Sequence, residues 1–228
     1  SKSLGLLAIK GNEERCLHRK KLLLRLNTCD GQVKKRIFSY SLFEGVLLPG
    51  KGGKKVATIK SDKMSDGTII HVRNIKNSLK GQKWEIDGAP SIDNGFKIAD
   101  LSKVWCLQPL SKEIGAKIVV KECDDSLTIQ KWKSKGQVQL SLMDDTQFCL
   151  RKASKSKDLK LGKCDPGRKP RMTTKFQYDL FSKAFTWKRS PGKHHMQIKK
   201  DSPSDGKAVG LGAYDSDLSY QQWEILPQ

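Results

Sequence analysis

The sequence predicts an all-β fold built from short strands, arranged as a barrel or a sandwich. Apolar and polar residues alternate over stretches such as 117–121 and 137–141, which is the pattern of half-buried strands. Asp-Gly, Lys-Gly and Pro-Gly pairs provide turns between such stretches. No stretch of a dozen residues keeps a helical period. Short strands at regular spacing are typical of β-barrels and β-sandwiches.

The chain also repeats itself along its length. Residues 38–43 match residues 176–181 at an offset of 138 positions. Residues 82–86 match residues 221–225 at an offset of 139. A long internal repeat indicates a fold assembled from equivalent structural units.

A shorter period lies inside the long one. The motif Gln-x-Trp and the pair Cys-Leu each occur three times, and every Cys-Leu pair is followed by a second cysteine. The Gln-x-Trp motifs are at residues 82–84, 130–132 and 221–223, and the Cys-Leu pairs are at 16–17, 106–107 and 149–150. The recurrences divide the chain into five units of roughly 45 residues: 1–50, 51–91, 92–140, 141–187 and 188–228.

These motifs resemble the ricin-type, or QxW, β-trefoil lectin family. The resemblance implies that three repeats form one barrel and that the tryptophan of each Gln-x-Trp motif lies in a shared core. The core positions implied in this way are Gln82, Trp84, Gln130, Trp132, Gln221, Trp223, Phe38 and Phe176.

The resemblance further implies tandem β-trefoils. Residues 92–228 look like a complete trefoil made of the repeats 92–140, 141–187 and 188–228. Residues 1–91 look like the second and third repeats, 1–50 and 51–91, of an incomplete trefoil that lacks its first repeat. We therefore expect two domains, 1–91 and 92–228.

The start of the chain favours proteolytic processing. Ser1-Lys2 aligns with Ser134-Lys135, which directly follows a Gln-x-Trp unit, and neither an initiator methionine nor a signal peptide precedes it. A two-thirds trefoil would expose strand edges and core. We expect a cleaved N-terminal fragment or a neighbouring subunit to complete it; the alternatives are an incomplete sequence or a degenerate repeat.

In the ricin-type family a disulfide closes a loop within the repeat. The resemblance therefore implies the pairs Cys16–Cys29, Cys106–Cys123 and Cys149–Cys164. Three pairs at similar spacing favour an oxidising compartment over buried free thiols, so a secreted or extracellular protein is expected. No apolar run reaches membrane-spanning length.

The charge of the chain favours polyanionic partners. It carries 44 Lys and Arg against 24 Asp and Glu, and residues 149–200 hold 16 Lys and Arg against three Asp. The excess of lysine favours diffuse attraction to sulfate, phosphate or silicate groups over planar bidentate recognition. The alternative is a basic surface that serves solubility. The candidate polyanion-binding residues are Arg151, Lys152, Lys155, Lys157, Lys160, Lys163, Arg168, Lys169, Arg171, Lys188, Arg189 and Lys193.

Ordinary sugar binding has a weaker signal. In ricin-type lectins an Asp shortly after the Cys-hydrophobic pair holds a sugar hydroxyl, and the matching residues here are His18, Gln108 and Arg151. Gln108 is the candidate pocket residue because its amide can both donate and accept hydrogen bonds.

Other chemistry finds little support in the sequence. Residues 45–51 imitate the start of a phosphate-binding loop, but Gly52 replaces the required Ser or Thr. The adjacent His194 and His195 would point to opposite faces of a strand, so no metal site and no cofactor are expected. Nucleic acid is not expected as a partner either, since aromatic residues make up only 7% of the chain.

The sequence thus predicts a non-catalytic extracellular lectin-like binding or structural protein. Its expected partners are acidic or sulfated glycans or an anionic mineral such as silica, and self-assembly into a homo-oligomer or a larger structure fits an open first domain. The alternatives are a lectin for neutral sugars and the binding chain of a larger, proteolytically cleaved protein.

Overall fold

The chain is an all-β protein in which short strands are joined by turns. The computed structural model describes residues 8–9, 12–20, 23–28, 38–49, 55–59, 70–74, 82, 84, 86, 89–135, 139–154, 156–165, 174–187, 194–199, 202–213, 215 and 217–228. These residues contain nineteen strands and the short 3-10 helices Thr128–Gln130 and Ser219–Gln221. No helix in this part of the chain has the length and apolarity needed to cross a membrane.

The chain divides into two compact units. The first comprises Ser1–Ala89 with the short segment Asp179–Ser182, and the second comprises Pro90–Tyr178 with Lys183–Gln228. The first unit contains β1 (Ala8–Ile9), β2 (Asn12–Lys20), β3 (Leu23–Thr28), β4 (Phe38–Ser41), β5 (Val46–Pro49), β6 (Lys55–Ile59) and β7 (Ile70–Asn74). Strands β1, β2, β3, β7 and β6 form one sheet in this order, and β4 pairs with β5. The core of this unit includes Leu24, Phe38, Leu47, Ala57 and Val72.

The second unit consists of three groups of four strands, called here its first, second and third repeats. The first repeat has β8 (Phe96–Asp100), β9 (Trp105–Pro109), β10 (Ile118–Glu122) and β11 (Trp132–Lys135). The second has β12 (Gln139–Leu142), β13 (Phe148–Lys152), β14 (Leu159–Lys163) and β15 (Phe176–Asp179). The third has β16 (Ala184–Trp187), β17 (His195–Ile198), β18 (Val209–Gly212) and β19 (Trp223–Pro227).

The outer strands of the repeats connect each repeat to the next. Strand β11 pairs with β12, β15 lies beside β16, and β19 returns to pair with β8. The last repeat is thereby hydrogen-bonded to the first. This closure leaves the large side chains of the interior, including Trp132, Trp223, Phe96 and Phe176, with no exposed surface.

The inner strands of each repeat form a hairpin, and the three hairpins meet in a cycle. Isolated bridges join Lys117 to Lys160, Asp158 to Gly210, and Ala208 to Val119. Each hairpin contributes two positions, two residues apart, and each contacts both of the others. The bridges therefore surround a pseudo-threefold axis, and the three hairpins together are called here the hairpin cap.

In the first and third repeats the Gln-x-Trp motif ties the hairpin to its own repeat. The indole N–H of Trp132 donates to the Leu107 carbonyl at 3.0 Å. The side chain of Gln130 donates to the Glu122 carbonyl at 2.8 Å and accepts the Asp124 backbone N–H at 2.9 Å. The third repeat makes the same bonds through its own motif, residues 221–223. The motif thus satisfies buried polar groups that would otherwise be costly.

The long sequence repeat is also a repeat of hydrogen bonds. The Tyr178 hydroxyl donates to the Trp223 carbonyl at 2.8 Å in the second unit. In the first unit the Tyr40 hydroxyl donates to the Trp84 carbonyl at 2.6 Å. The offset of about 139 residues therefore relates structurally equivalent positions.

The second repeat of the second unit lacks the Gln-x-Trp motif, and a glutamine from another part of the repeat makes the equivalent hydrogen bonds. Thr174 stands in the glutamine position and donates to the Asp165 carboxylate at 2.7 Å. Gln139, at the start of β12, accepts the Asp165 backbone N–H at 3.1 Å and donates to the Asp165 carbonyl at 3.3 Å. Gln139 thus provides the acceptor that Gln130 provides for Asp124 in the first repeat.

Two of the three expected disulfides are present in the described residues. Cys106 is bonded to Cys123 and Cys149 to Cys164, across sequence separations of 17 and 15 residues. Closing loops of this length stabilises a protein by about 3 kcal/mol in the chain-entropy model. The expected pair Cys16–Cys29 lies outside the described residues, because Cys29 is not among them.

We predict that Gln139→Leu lowers the free energy of unfolding by about 2–4 kcal/mol, because it leaves a buried N–H and a buried carbonyl without their partner. Urea denaturation monitored by tryptophan fluorescence measures the change. The exposed Gln147 of the same repeat provides a control, and Gln147→Leu is expected to change stability by less than about 0.5 kcal/mol. Equal losses in both variants would contradict the role of Gln139.

Candidate functional site

A row of cationic side chains crosses neighbouring strands of the second unit. Arg151 of β13 lies directly opposite Lys160 of β14. Lys160 is in turn bridged to Lys117, which directly precedes β10. Residues opposite one another in an antiparallel pair present their side chains on the same face. Lys117, Lys160 and Arg151 therefore form a strip of positive charge, called here the cationic row.

The side chain of Arg151 has its place in this row because Gly162 has no side chain. A Cβ atom on Gly162 would lie 2.5 Å from the Cδ atom of Arg151, which is too close for two carbon atoms. The Arg151 guanidinium reaches across the glycine and donates to the Lys163 carbonyl at 3.3 Å. Gly162 therefore decides the direction of Arg151.

Lys152, the next residue of β13, lies on an aromatic surface. Its ammonium nitrogen is 5.3 Å from the centre of the Trp187 ring and donates to the Ala153 carbonyl at 2.9 Å. The His194 ring packs edge-on against Trp187 with a centroid distance of 6.0 Å. The cation–π contact orients the Lys152 charge.

The remaining candidate residues divide into those that the structure describes and those that it does not. Lys157 and Lys163 are exposed, at the turn before β14 and at its end. The candidates outside the described residues are Lys155, Arg168, Lys169, Arg171, Lys188, Arg189 and Lys193. The structure thus brings Arg151 and Lys160 together and places Lys152, Lys157 and Lys163 on the same hairpin.

Sequence reasoning missed two lysines near this hairpin, Lys117 and Lys199. Lys199 follows β17 and forms an ion pair with Asp158. The pKa of the Asp158 carboxyl is held below its ordinary value, because Lys199 and Ser156 donate hydrogen bonds to it and because Lys199 and Lys117 are positively charged. No local signal marks either lysine, since both reach this place only through the pairing of hairpins.

Gln108, the candidate sugar-pocket residue, has a structural partner. Its side-chain oxygen accepts a hydrogen bond from Gln130 at 2.8 Å. The third repeat has the same arrangement, in which the Gln197 oxygen accepts from Gln221 at 2.9 Å. The Gln108 oxygen therefore anchors the Gln-x-Trp motif of its own repeat.

The described residues contain no group of three or more His, Cys, Asp or Glu side chains placed to hold a metal ion. Of the adjacent histidines, His195 lies in β17 and is buried, and its Nδ1 atom lies 3.5 Å from the Thr186 hydroxyl. His194 packs against Trp187. The two histidines therefore belong to the packing around β16 and β17.

We predict that Gln108→Leu lowers the free energy of unfolding by about 1–2 kcal/mol, because the Gln130 amide loses an acceptor. Gln108→Glu keeps an oxygen acceptor in the same place and is expected to lose less. Chemical denaturation of both variants measures the difference. A Leu variant as stable as the wild type would contradict the anchoring role.

No family model matches the sequence, and no curated protein matches it. Solved structures do. A non-toxic homologue of type II RIPs from Momordica charantia (bitter gourd), in complex with alpha-methyl-D-galactoside, is 16% identical with a TM-score of 0.50, over 94% of this chain and 78% of that chain. The mdaA-1 domain is 17% identical with a TM-score of 0.51, over 61% and 93%. A mosquitocidal holotoxin is 13% identical with a TM-score of 0.50, over 96% and 28%.

At these identities the likeness concerns the fold alone. It agrees with the three four-stranded repeats, the Gln-x-Trp hydrogen bonds and the hairpin cap of the second unit. The fold that the resemblance implies is thereby confirmed: this chain is an all-β protein, and its second unit has the β-trefoil fold.

Proposed function

We propose that this chain is a non-catalytic, secreted, lectin-like protein that binds polyanions through a cationic face on its second unit. The candidate partners are sulfated or acidic glycans and anionic mineral surfaces. The observation that carries the proposal is the cationic row, in which Lys117, Lys160 and Arg151 occupy neighbouring strand positions. The carboxylate nearest to the row, Asp158, is already paired with Lys199. The net charge of +20 supports it.

The energetics of the row favour an anionic ligand. Like charges opposite one another on neighbouring strands repel by roughly 0.2–1 kcal/mol per pair. An anionic group placed between them removes this repulsion and adds attraction. Individual exposed contacts contribute at most about 1 kcal/mol. Several contacts along one polymer add up to useful affinity, which should be sensitive to salt.

A lectin for neutral sugars is the second candidate. The bitter gourd structure, which contains a methyl galactoside, favours it. The position that would serve as the sugar pocket here is Gln108, whose oxygen already accepts a hydrogen bond from Gln130. A ligand would have to use the Gln108 amide nitrogen or displace Gln130, so we place this function after polyanion binding.

A role as the binding chain of a larger cleaved protein is compatible with both candidates. The chain matches 28% of the mosquitocidal holotoxin, which is therefore a much longer protein. In such an arrangement the present chain would supply attachment and a separate segment would supply activity.

We also propose tandem β-trefoils, of which the first is completed by a further repeat from a cleaved fragment or a neighbouring subunit. Trp84 is held as Trp223 is: its backbone N–H donates to the Gly45 carbonyl at 2.9 Å and its indole N–H to the Ala57 carbonyl at 3.0 Å. Trp223 also lies opposite Asp100 of β8 and is fully buried. Trp84 is only partly buried.

The isoleucine two positions after each of these tryptophans shows the same difference in burial. Ile225 is buried against β8, whereas its equivalent Ile86 is only partly buried. Among the described residues of the first unit, no strand pairs with the segment that contains Trp84 and Ile86. A further repeat would supply the strand equivalent to β8 and cover both side chains.

We predict that the chain binds a heparin hexasaccharide. Its affinity should fall about threefold between 50 and 200 mM salt for each ion pair that the chain makes with the polymer. The double variant Arg151→Gln, Lys160→Gln should bind roughly tenfold more weakly, because two charges of the cationic row are removed. Isothermal titration calorimetry measures both effects, with unsulfated oligosaccharide and methyl galactoside as competitors.

The exposed Lys133 and Lys103, which lie outside the cationic row, provide the matched control. The double variant Lys133→Gln, Lys103→Gln removes the same charge and should bind almost as the wild type does. Binding that resists salt and is displaced by methyl galactoside would instead support the neutral-sugar lectin. Equal losses in the two double variants would show that net charge, not this face, is recognised.

We predict that Trp84 is shielded when a copy of residues 92–135 is fused ahead of Ser1. The difference in fluorescence between each protein and its Trp84→Phe variant isolates the Trp84 emission. This emission should shift to shorter wavelength and resist acrylamide quenching in the fusion, because an added strand covers the indole. A fusion whose appended copy carries Phe96→Ser and Ile98→Ser is the control, and an identical shift with both fusions would refute the completion.

A further inference from the structure

The three hairpins of the hairpin cap carry different side chains at their bridged positions. The six bridged positions form three equivalent pairs, one from each hairpin. They are occupied by Lys117 and Val119, Asp158 and Lys160, and Ala208 and Gly210. Two cations and one carboxylate are therefore set around an axis where the third hairpin contributes no long side chain.

The third hairpin has a glycine, Gly210, at the place where the Lys199 side chain crosses it. A Cβ atom on Gly210 would lie 2.9 Å from the Cε atom of Lys199 and 3.0 Å from the Lys157 carbonyl oxygen. The Lys199 side chain therefore passes across Gly210 and reaches the Asp158 carboxylate. Lys117 also lowers the pKa of the Asp158 carboxyl through its charge, and Lys160 is bridged to Lys117.

Backbone hydrogen bonds hold these groups in position. The Leu211 N–H donates to the Lys157 carbonyl at 2.7 Å, which ties β18 to the turn before Asp158. The Lys199 N–H donates to the Ala208 carbonyl at 2.9 Å. The Ser156 hydroxyl donates to the Asp158 carboxylate at 2.9 Å. The cap thus positions its charges through elements that the fold already requires.

The charges at the axis do not balance. Lys117, Lys160 and Lys199 bring three positive charges and Asp158 one negative charge. The pKa of Asp158 lies below its ordinary value, so this carboxyl stays ionised at neutral pH. The surplus of two positive charges is open to solvent, because Lys117 is exposed and the side chains of Lys199 and Asp158 are 43% and 45% exposed.

We infer that Lys117, Asp158, Lys160 and Lys199 form an axial subsite for one sulfate or phosphate monoester group of a polyanionic chain. This inference rests on the proposed polyanion binding and names where the polymer is anchored. Asp158 positions Lys199, and the three ammonium groups donate to the oxygen atoms of the ester. From Lys117 the polymer continues along the cationic row through Lys160 to Arg151, a path of roughly 10 Å across three strands.

A double-mutant cycle tests whether the lysines of the axial subsite hold the same group. The probes are heparin hexasaccharide for sulfate and inositol hexakisphosphate for phosphate, titrated at 50 mM salt. Lys117→Gln and Lys199→Gln should each weaken binding roughly threefold to fivefold. The double variant should weaken it by less than the product of the two, because the second substitution acts on a group already released.

Lys133→Gln is the control, since it removes one exposed lysine outside the subsite. Circular dichroism and thermal melting check that each variant is folded. Effects of Lys117→Gln and Lys199→Gln that equal this control, or that multiply independently, would overturn the axial subsite while leaving polyanion binding intact. A wild-type chain that binds neither probe would overturn both proposals.

Lysine side-chain NMR of the unmodified chain gives a second readout that does not depend on variants. Addition of the hexasaccharide should shift the Lys117, Lys160 and Lys199 ammonium signals and leave that of Lys133 unchanged. Equal shifts at all lysines would indicate diffuse attraction and contradict the subsite.

Discussion

The buried tryptophan and the glutamine two residues before it are the interaction on which the second unit depends. Trp132 and Trp223 have no exposed surface, and each donates its indole N–H to the second strand of its repeat. Each glutamine donates to the first strand of the adjacent hairpin and to the carbonyl at the end of its second strand. A large apolar side chain and satisfied polar groups thus fix each hairpin against the strands behind it. The hairpin cap follows from these two attachments together with the Gln139 hydrogen bonds of the second repeat.

The hairpin cap explains why positively charged side chains can lie close together on this surface. The side chains that point into the interior of the second unit must be apolar, because they are completely buried. The cap is held by backbone bridges and leaves its side chains less constrained. Gly162 and Gly210 make room there for Arg151 and Lys199 to cross the surface. Binding chemistry can therefore vary at the cap without a change in the core.

The repeats have diverged in residues while keeping the same bonds. Gln139 accepts the backbone N–H that a Gln-x-Trp glutamine would otherwise accept, although it lies 26 residues before Asp165. Gln108 and Gln197 accept from the motif glutamines in two repeats, and Arg151 occupies the corresponding place in the repeat that lacks the motif. Where the structural acceptor is no longer needed, the position has become part of the cationic row.

The all-β class, the internal repeat and two of the disulfides could be predicted from the residues alone, because strand alternation and motif periods are local properties of the chain. The composition located the excess of positive charge, and the motif spacing predicted repeats of roughly 45 residues, whose four strands were seen only in the structure. Three contacts could not be predicted in this way: Lys117 meets Lys160, Lys199 crosses Gly210, and Gln139 replaces a motif glutamine. These contacts join residues tens of positions apart through a pseudo-threefold axis, and no local pattern encodes which side chains such an axis brings together.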